Sequence, residues 1–137
     1  MLTTRRIGSD DPRLHALHSI TFPLDSEPDW EYAAWWAVYE QGTPVAFAGL
    51  QPSQRWRDAG YLVRAGVLPA HRGRGLQRRL LRARERFARD AGWRWLLSAT
   101  YKNTTSANNL IREGFLLYEP RRPWLARGAL YWLKELK

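Results

Sequence analysis

Two nearly continuous apolar runs, residues 33–40 (AAWWAVYE) and 44–51 (PVAFAGLQ), stand either side of Gln41, Gly42 and Thr43. Each is about eight residues long, short for a helix and right for a strand buried on both faces. The turn residues between them predict a hairpin. Residues 59–68 (AGYLVRAGVL) and 93–101 (WRWLLSATY) repeat the pattern and predict two more strands. Elsewhere the apolar period becomes helical. Leu14, Leu17 and Ile20 fall on one stripe after Pro12, a residue tolerated in a first helical turn. Leu76, Leu80, Ala83 and Phe87 fall on another, which Gly92 closes. Asn103 caps a third helix over residues 103–113, closed by Gly114.

A short strand at residues 3–7 precedes these elements, and two strands follow, around FLLYEP and GALYWLKEL. The segment FPLDSEPDW is broken by prolines and reads as a loop or a short extra helix. The order is antiparallel strands first, then one strand-helix-strand crossover, then a final pair. This predicts an α/β (α+β) fold. Its sheet is mixed and mostly antiparallel, with about six or seven strands and helices on both faces. The 137 residues suit one domain, residues 1–137.

Charge narrows the partner. The net charge is +9 and most of the excess is arginine, so the partner is anionic: nucleic acid, an acidic surface or a phosphorylated small molecule. The chain has no cysteine, which removes disulfides, thiolate zinc sites and a thiol nucleophile. No stretch is apolar enough for a signal peptide or a membrane span. The expectation is a soluble, cytoplasmic protein without a metal site, as a monomer or homodimer.

The stretch LPAHRGRGLQRRLL places Gly73 and Gly75 where a strand ends and a basic helix begins. Unpaired N–H groups at a helix start bind phosphate, and glycine lets the backbone come close to it. A solvated amphipathic helix opened by a glycine turn is the alternative reading of the same spacing. Neither a P-loop nor a dinucleotide fingerprint is present. The run VLPAHRGRGLQ, however, resembles the coenzyme A signature of the GNAT superfamily of N-acetyltransferases. Val67, Pro69, Arg72 and Gly75 fall in step with it. NTTSANNLIREGF resembles that family's second motif through Asn103, Ser106, Gly114 and Phe115. The order of elements agrees over essentially the whole chain.

The resemblance implies a GNAT-like acyl-CoA N-acyltransferase fold and the transfer of an acetyl group from acetyl-CoA to an amine. It implies that the backbone at Gly66 and Val67 pairs with the pantetheine arm between two splayed strands. The N–H groups over Gly73, Arg74, Gly75, Leu76, Gln77 and Arg78 would hold the diphosphate. Arg72, Arg74 and Arg78 would neutralise it, while Asn103 and Ser106 would meet the arm from the third helix. Three positions depart from the family pattern. Gln77 replaces a small residue and must swing its side chain outward. Leu110 stands where many members keep a tyrosine that acts as general acid, and Ser98 where some keep a glutamate.

A departing thiolate needs a proton, and Tyr118 is the leading candidate to give it, ahead of Tyr39, Tyr61 and Tyr101. Glu40 and Asp58, at strand ends, are weak candidates for a base. His71 adjoins the phosphate turn, and His15 and His18 read as surface or packing residues. Asp25, Glu27, Asp29 and Glu31 would line a wall that attracts a cationic amine, or simply keep a loop soluble. Trp30, Trp35, Trp36 and Trp124 are core or pocket aromatics. Arg82 to Arg89 read as a solvated face. The competing functions are a basic nucleic-acid-binding module and an acyl-CoA binder without catalysis.

Overall fold

The computed structural model describes residues 1–136. Seven strands form one sheet: β1 (Leu2–Ile7), β2 (Ala34–Glu40), β3 (Thr43–Pro52), β4 (Ala59–Val67), β5 (Trp95–Thr100), β6 (Leu116–Tyr118) and β7 (Leu130–Glu135). Their spatial order is β1-β2-β3-β4-β5-β7-β6. Every pairing is antiparallel except β4 with β5. Gln41 and Gly42 both have positive φ (50° and 83°), the geometry of a tight two-residue hairpin, and they join β2 to β3 as expected.

Three helices cover the sheet: α1 (Pro12–Thr21), α2 (Leu76–Asp90) and α3 (Thr104–Arg112). Alternation along the strands sorts the side chains into two cores. Trp35, Ala37, Tyr39 and Phe47 pack with Leu14 and Leu17 of α1 on one face. Trp36, Val38, Ala46, Ala48 and Leu50 pack with Leu76, Leu80, Leu81 and Ala88 of α2 and Leu110 of α3 on the other. This explains why β2 and β3 are apolar at nearly every position. Residues 22–33 form a loop with one short 3-10 turn at Trp30–Tyr32.

One expectation about α2 needs correction. Arg84 does not belong to a solvated face; it is 3% exposed. Leu80, Arg84 and Ala88 recur every four residues, so the helix carries Arg84 inward with the apolar stripe. Arg82, Arg86 and Arg89 are exposed, as the sequence suggests.

Candidate functional site

The parallel pairing of β4 with β5 is brief. It runs over Ala59, Gly60 and Tyr61 against Trp95, Leu96 and Leu97, and then the strands part. From Leu62 to Val67 the β5 side of β4 has no paired strand, which opens a wedge in the sheet. A cavity of about 240 Å³ fills it, lined by Leu62, Arg64, Ser98 and Tyr101 among others. A second cavity runs from Gly66 and Val67 to the start of α2. The two share Phe22, Ala65, Gln77, Asn103 and Asn109, so they form one groove from helix start to wedge.

The helix start answers why glycine sits among arginines. Gly73 and Gly75 have φ of +79° and +74°, in the left-handed region that costs other residues about 1–2 kcal/mol. A Cβ at either position would meet nothing within 4 Å, so backbone conformation rather than crowding demands them. Asp11 and Asn103 cap α1 and α3 with side-chain hydrogen bonds, but Gly75 offers α2 none. The N–H of Arg79 donates to the Gly75 carbonyl (3.2 Å), which leaves those of Leu76, Gln77 and Arg78 ahead of the helical ladder. Uncapped N–H groups, with no acidic residue in the first turn, fit a phosphate.

Most of the predicted cofactor residues converge here. Gly66, Val67, Arg72, Gly73, Gly75, Leu76, Gln77, Arg78 and Asn103 line the helix-start cavity, and Ser106 lines the wedge. Arg74 lines neither. It bonds the Glu40 carboxylate at 2.6 Å, which holds that carboxyl below its usual range. Arg78 pairs with Glu113 at 2.8 Å, and Arg82 joins the same carboxylate. Burial raises the Glu113 carboxyl, but the hydrogen bonds from Arg82 and Arg78 outweigh it and the net direction is down. Arg72 Nε donates to the Val67 carbonyl (3.3 Å). Asn103 accepts from the Ser106 N–H (3.0 Å), so its capping role is plain. Gly66 faces the end of α1: a Cβ there would lie 2.5 Å from Thr21 Oγ1.

Gln77 does not swing away from the groove. Its Oε1 accepts from Asn109 Nδ2 at 2.9 Å, and both residues line both cavities. Asn109, with Thr105 and Arg112, was missed in the sequence. The three recur at helical spacing on α3 and form a polar stripe along the groove. His71 also lines the helix-start cavity and donates from Nε2 to Glu40 (3.1 Å).

Tyr118 is not brought into the wedge. β7 lies between β5 and β6, so Tyr118 sits opposite Tyr131, which in turn sits opposite Ala99. It lines a separate groove beside the β6–β7 loop, with its hydroxyl buried and without a partner. Burial pushes that hydroxyl's pKa up. Among the described residues, Tyr101 is the tyrosine that lines the wedge.

The acidic loop lines neither cavity. Asp25 approaches Arg64 at 3.8 Å, and Glu27 accepts from the Trp30 indole at 3.4 Å. Trp35 and Trp36 are core, at 1% and 5% exposure. Trp124 packs on Tyr61 and Tyr131. His18 is buried and stacks near Phe22, while His15 stacks on Trp30.

Arg64 is the residue the sequence hid. The β3–β4 register steps from Ala48↔Ala65 to Gly49↔Val63, which leaves Arg64 in a bulge with φ +28°. Its guanidinium donates to His18 Nε2 (2.6 Å) and to the Ser26 carbonyl (3.1 Å). A guanidinium can only donate, so His18 accepts through Nε2. Burial first, and the Arg64 charge second, hold the His18 pKa below its ordinary value.

A profile of the acetyltransferase (GNAT) family matches residues 8–115. No curated protein sequence matches the chain. Solved structures do. A Klebsiella pneumoniae chain assigned as an acyl-CoA N-acyltransferase is 25% identical, with TM-score 0.80, covering 100% of this chain and 99% of that one. The ribosomal-protein-S18-alanine N-acetyltransferase of Escherichia coli is 19% identical, with TM-score 0.76 and coverage of 98% and 94%. A Bacillus subtilis acetyltransferase in complex with CoA is 12% identical, with TM-score 0.79 and full coverage of both chains.

Proposed function

The chain belongs to the acetyltransferase (GNAT) family, and from that premise we propose that it transfers an acetyl group from acetyl-CoA to a primary amine. The observation that carries this reading is the uncapped glycine turn of α2, opening along one groove into the β4–β5 wedge. Acetyl-CoA supplies the acetyl group as an activated thioester. The N–H groups ahead of the α2 ladder, with Arg72 and Arg78, hold its diphosphate. Arg78 exchanges one oxygen of Glu113 for phosphate, since an arginine carries five donors. The edge of β4 at Gly66 and Val67, which no strand pairs on the β5 side, pairs with the arm like an added strand once Arg72 releases the Val67 carbonyl.

Transfer forms an N–C bond and breaks a C–S bond. The amine must be neutral to attack, and its proton leaves as the thiolate gains one. Among the described residues no carboxylate lines the wedge, so water carries the amine's proton away. Tyr101 lines the wedge at the end of β5 and takes the acid role expected of Tyr118. Holding thioester and amine together in the wedge supplies a further part of the rate.

The test is release of free thiol from acetyl-CoA across a panel of amines, beside a melt with CoA. A ligand that binds the folded state alone raises the melting temperature. Thiol release with an amine and a CoA-dependent shift are the expected results. A shift with duplex DNA, but none with millimolar CoA, would replace this reading with nucleic-acid binding.

A further inference from the structure

Among the described residues, Arg64 and Arg84 are the charged residues that line the wedge cavity, and no aspartate or glutamate does. Their situations differ. Arg84 is sealed beneath the sheet and donates to two backbone carbonyls, Leu80 at 3.1 Å and Gly49 at 3.0 Å. Arg64 retains 26% side-chain exposure. Both of its hydrogen-bond partners, His18 and Ser26, are neutral acceptors. The carboxylate near it, Asp25, stands 3.8 Å away and is itself half exposed, so it screens the charge poorly.

The guanidinium is also aimed. The bulge sets its backbone at a φ that non-glycine residues seldom take, the kind of strain that gathers at functional sites. His18 grips it from a bed of Phe22, Trp30 and Phe47 rings. Phe22 lies beneath the guanidinium at 5.5 Å. A fixed, partly open arginine whose hydrogen-bond partners are neutral, and whose nearby carboxylate Asp25 is half exposed, matches a carboxylate in sign and in forked geometry. A polycationic acceptor would meet the Arg64 charge, with no aspartate or glutamate among the described lining residues to offset it. Of the acidic loop, read earlier as its attractant, Asp25 comes within 3.8 Å of Arg64, but none of its four carboxylates lines the cavity.

Resting on the acetyl-transfer reading above, we propose that the acceptor bears a carboxylate beside its amine, as a free amino acid does, and that Arg64 binds that carboxylate. Asp25 gives way to it. Arg64 thus sets acceptor specificity and takes no part in holding CoA.

The experiment compares each free L-amino acid with its L-amino-acid amide as acceptor, read by thiol release from acetyl-CoA. The amide's amine is the less basic and hence the more neutral at pH 7. A preference for the acid therefore reports binding rather than nucleophilicity. The expected result is a kcat/KM about tenfold or more higher for the acid of at least one pair. Arg64→Gln raises KM for that acid and abolishes the difference, Arg64→Lys restores part of it, and CoA affinity by calorimetry is unchanged in both. Amides that react as well as acids overturn the proposal, as does an Arg64→Gln protein that loses CoA affinity instead. Thiol release with other amines but with no amino acid overturns it and leaves acetyl transfer standing. No release with any amine overturns both. Should Arg64→Gln fail to fold, the acid–amide comparison on the unaltered chain decides alone.

Discussion

Arg84 of α2 donates to the carbonyl of Gly49 in β3 at 3.0 Å, from the buried side of the sheet. Gly49 borders the register step that displaces Arg64. A buried cation thus braces, from one face, the bulge that presents a second cation on the other. Burial pushes the Arg84 pKa down to about 9, so the group is still charged at neutral pH.

Arg84→Met keeps the bulk of the side chain and removes the charge. Losing a buried charge is favourable, while leaving the Gly49 carbonyl unpaired costs about 1–3 kcal/mol. The two offset, so a denaturant melt is expected within about 2 kcal/mol of the parent. Thiol release from acetyl-CoA falls, because the bulge loses its brace. Full activity in the folded variant would show that the bulge holds itself.

Gly75→Val tests the proposed phosphate turn. A β-branched residue at φ +74° costs about 1–2 kcal/mol of stability. CoA affinity, titrated by calorimetry on the folded variant, is expected to fall by more than that strain alone accounts for, since the turn re-forms around a different backbone. Unchanged affinity would remove the diphosphate from this turn.

His18 makes stability depend on pH. Its folded pKa lies below the ordinary 6.5. As pH falls below that value the unfolded chain takes a proton that the native state declines. Stability therefore declines on acidification from pH 6.5 and is fully present above it. His18→Gln cannot titrate, yet it can still accept from Arg64. Its melting temperature should vary less with pH than the parent's between about pH 5 and 6.5. Parallel curves would assign the acid sensitivity to another group.

The two tyrosines separate by substitution. Tyr101→Phe is expected to lower turnover by about 100-fold, the lower range for general acid–base groups, with CoA affinity little changed. Tyr118→Phe removes a buried hydroxyl that has no partner, so it leaves turnover alone and keeps or raises stability. The reverse pattern would return the acid role to Tyr118.

Much of the fold was legible in the chain because its signals are local. The β2–β3 hairpin follows from two apolar runs and a glycine turn. The α2 start follows from Gly73 and Gly75, whose positive φ is a property of each residue's own backbone. Asn103 announced the cap of α3. The residues of the helix-start groove were readable for the same reason: the strand end, turn and first helical turn lie within a dozen consecutive residues.

Tertiary structure decided what depends on partners distant in sequence. The sequence shows two final strands but not that β7 inserts beside β5, and that order alone carries Tyr118 away from the wedge. Local pattern could mark Arg84 as lying on the apolar stripe. Its place there depends on two carbonyls, one of them 35 residues away, that make burying a charge tolerable. Arg64 reads as one polar position in a strand. A register step against β3 and a histidine 46 residues earlier turn it into an aimed cation. Short-range backbone preferences thus fixed the elements and the glycine turn ahead of α2. Strand order, register and the solvation of buried charge, which are properties of the assembled sheet, fixed the wedge and the placement of Arg64 and Arg84.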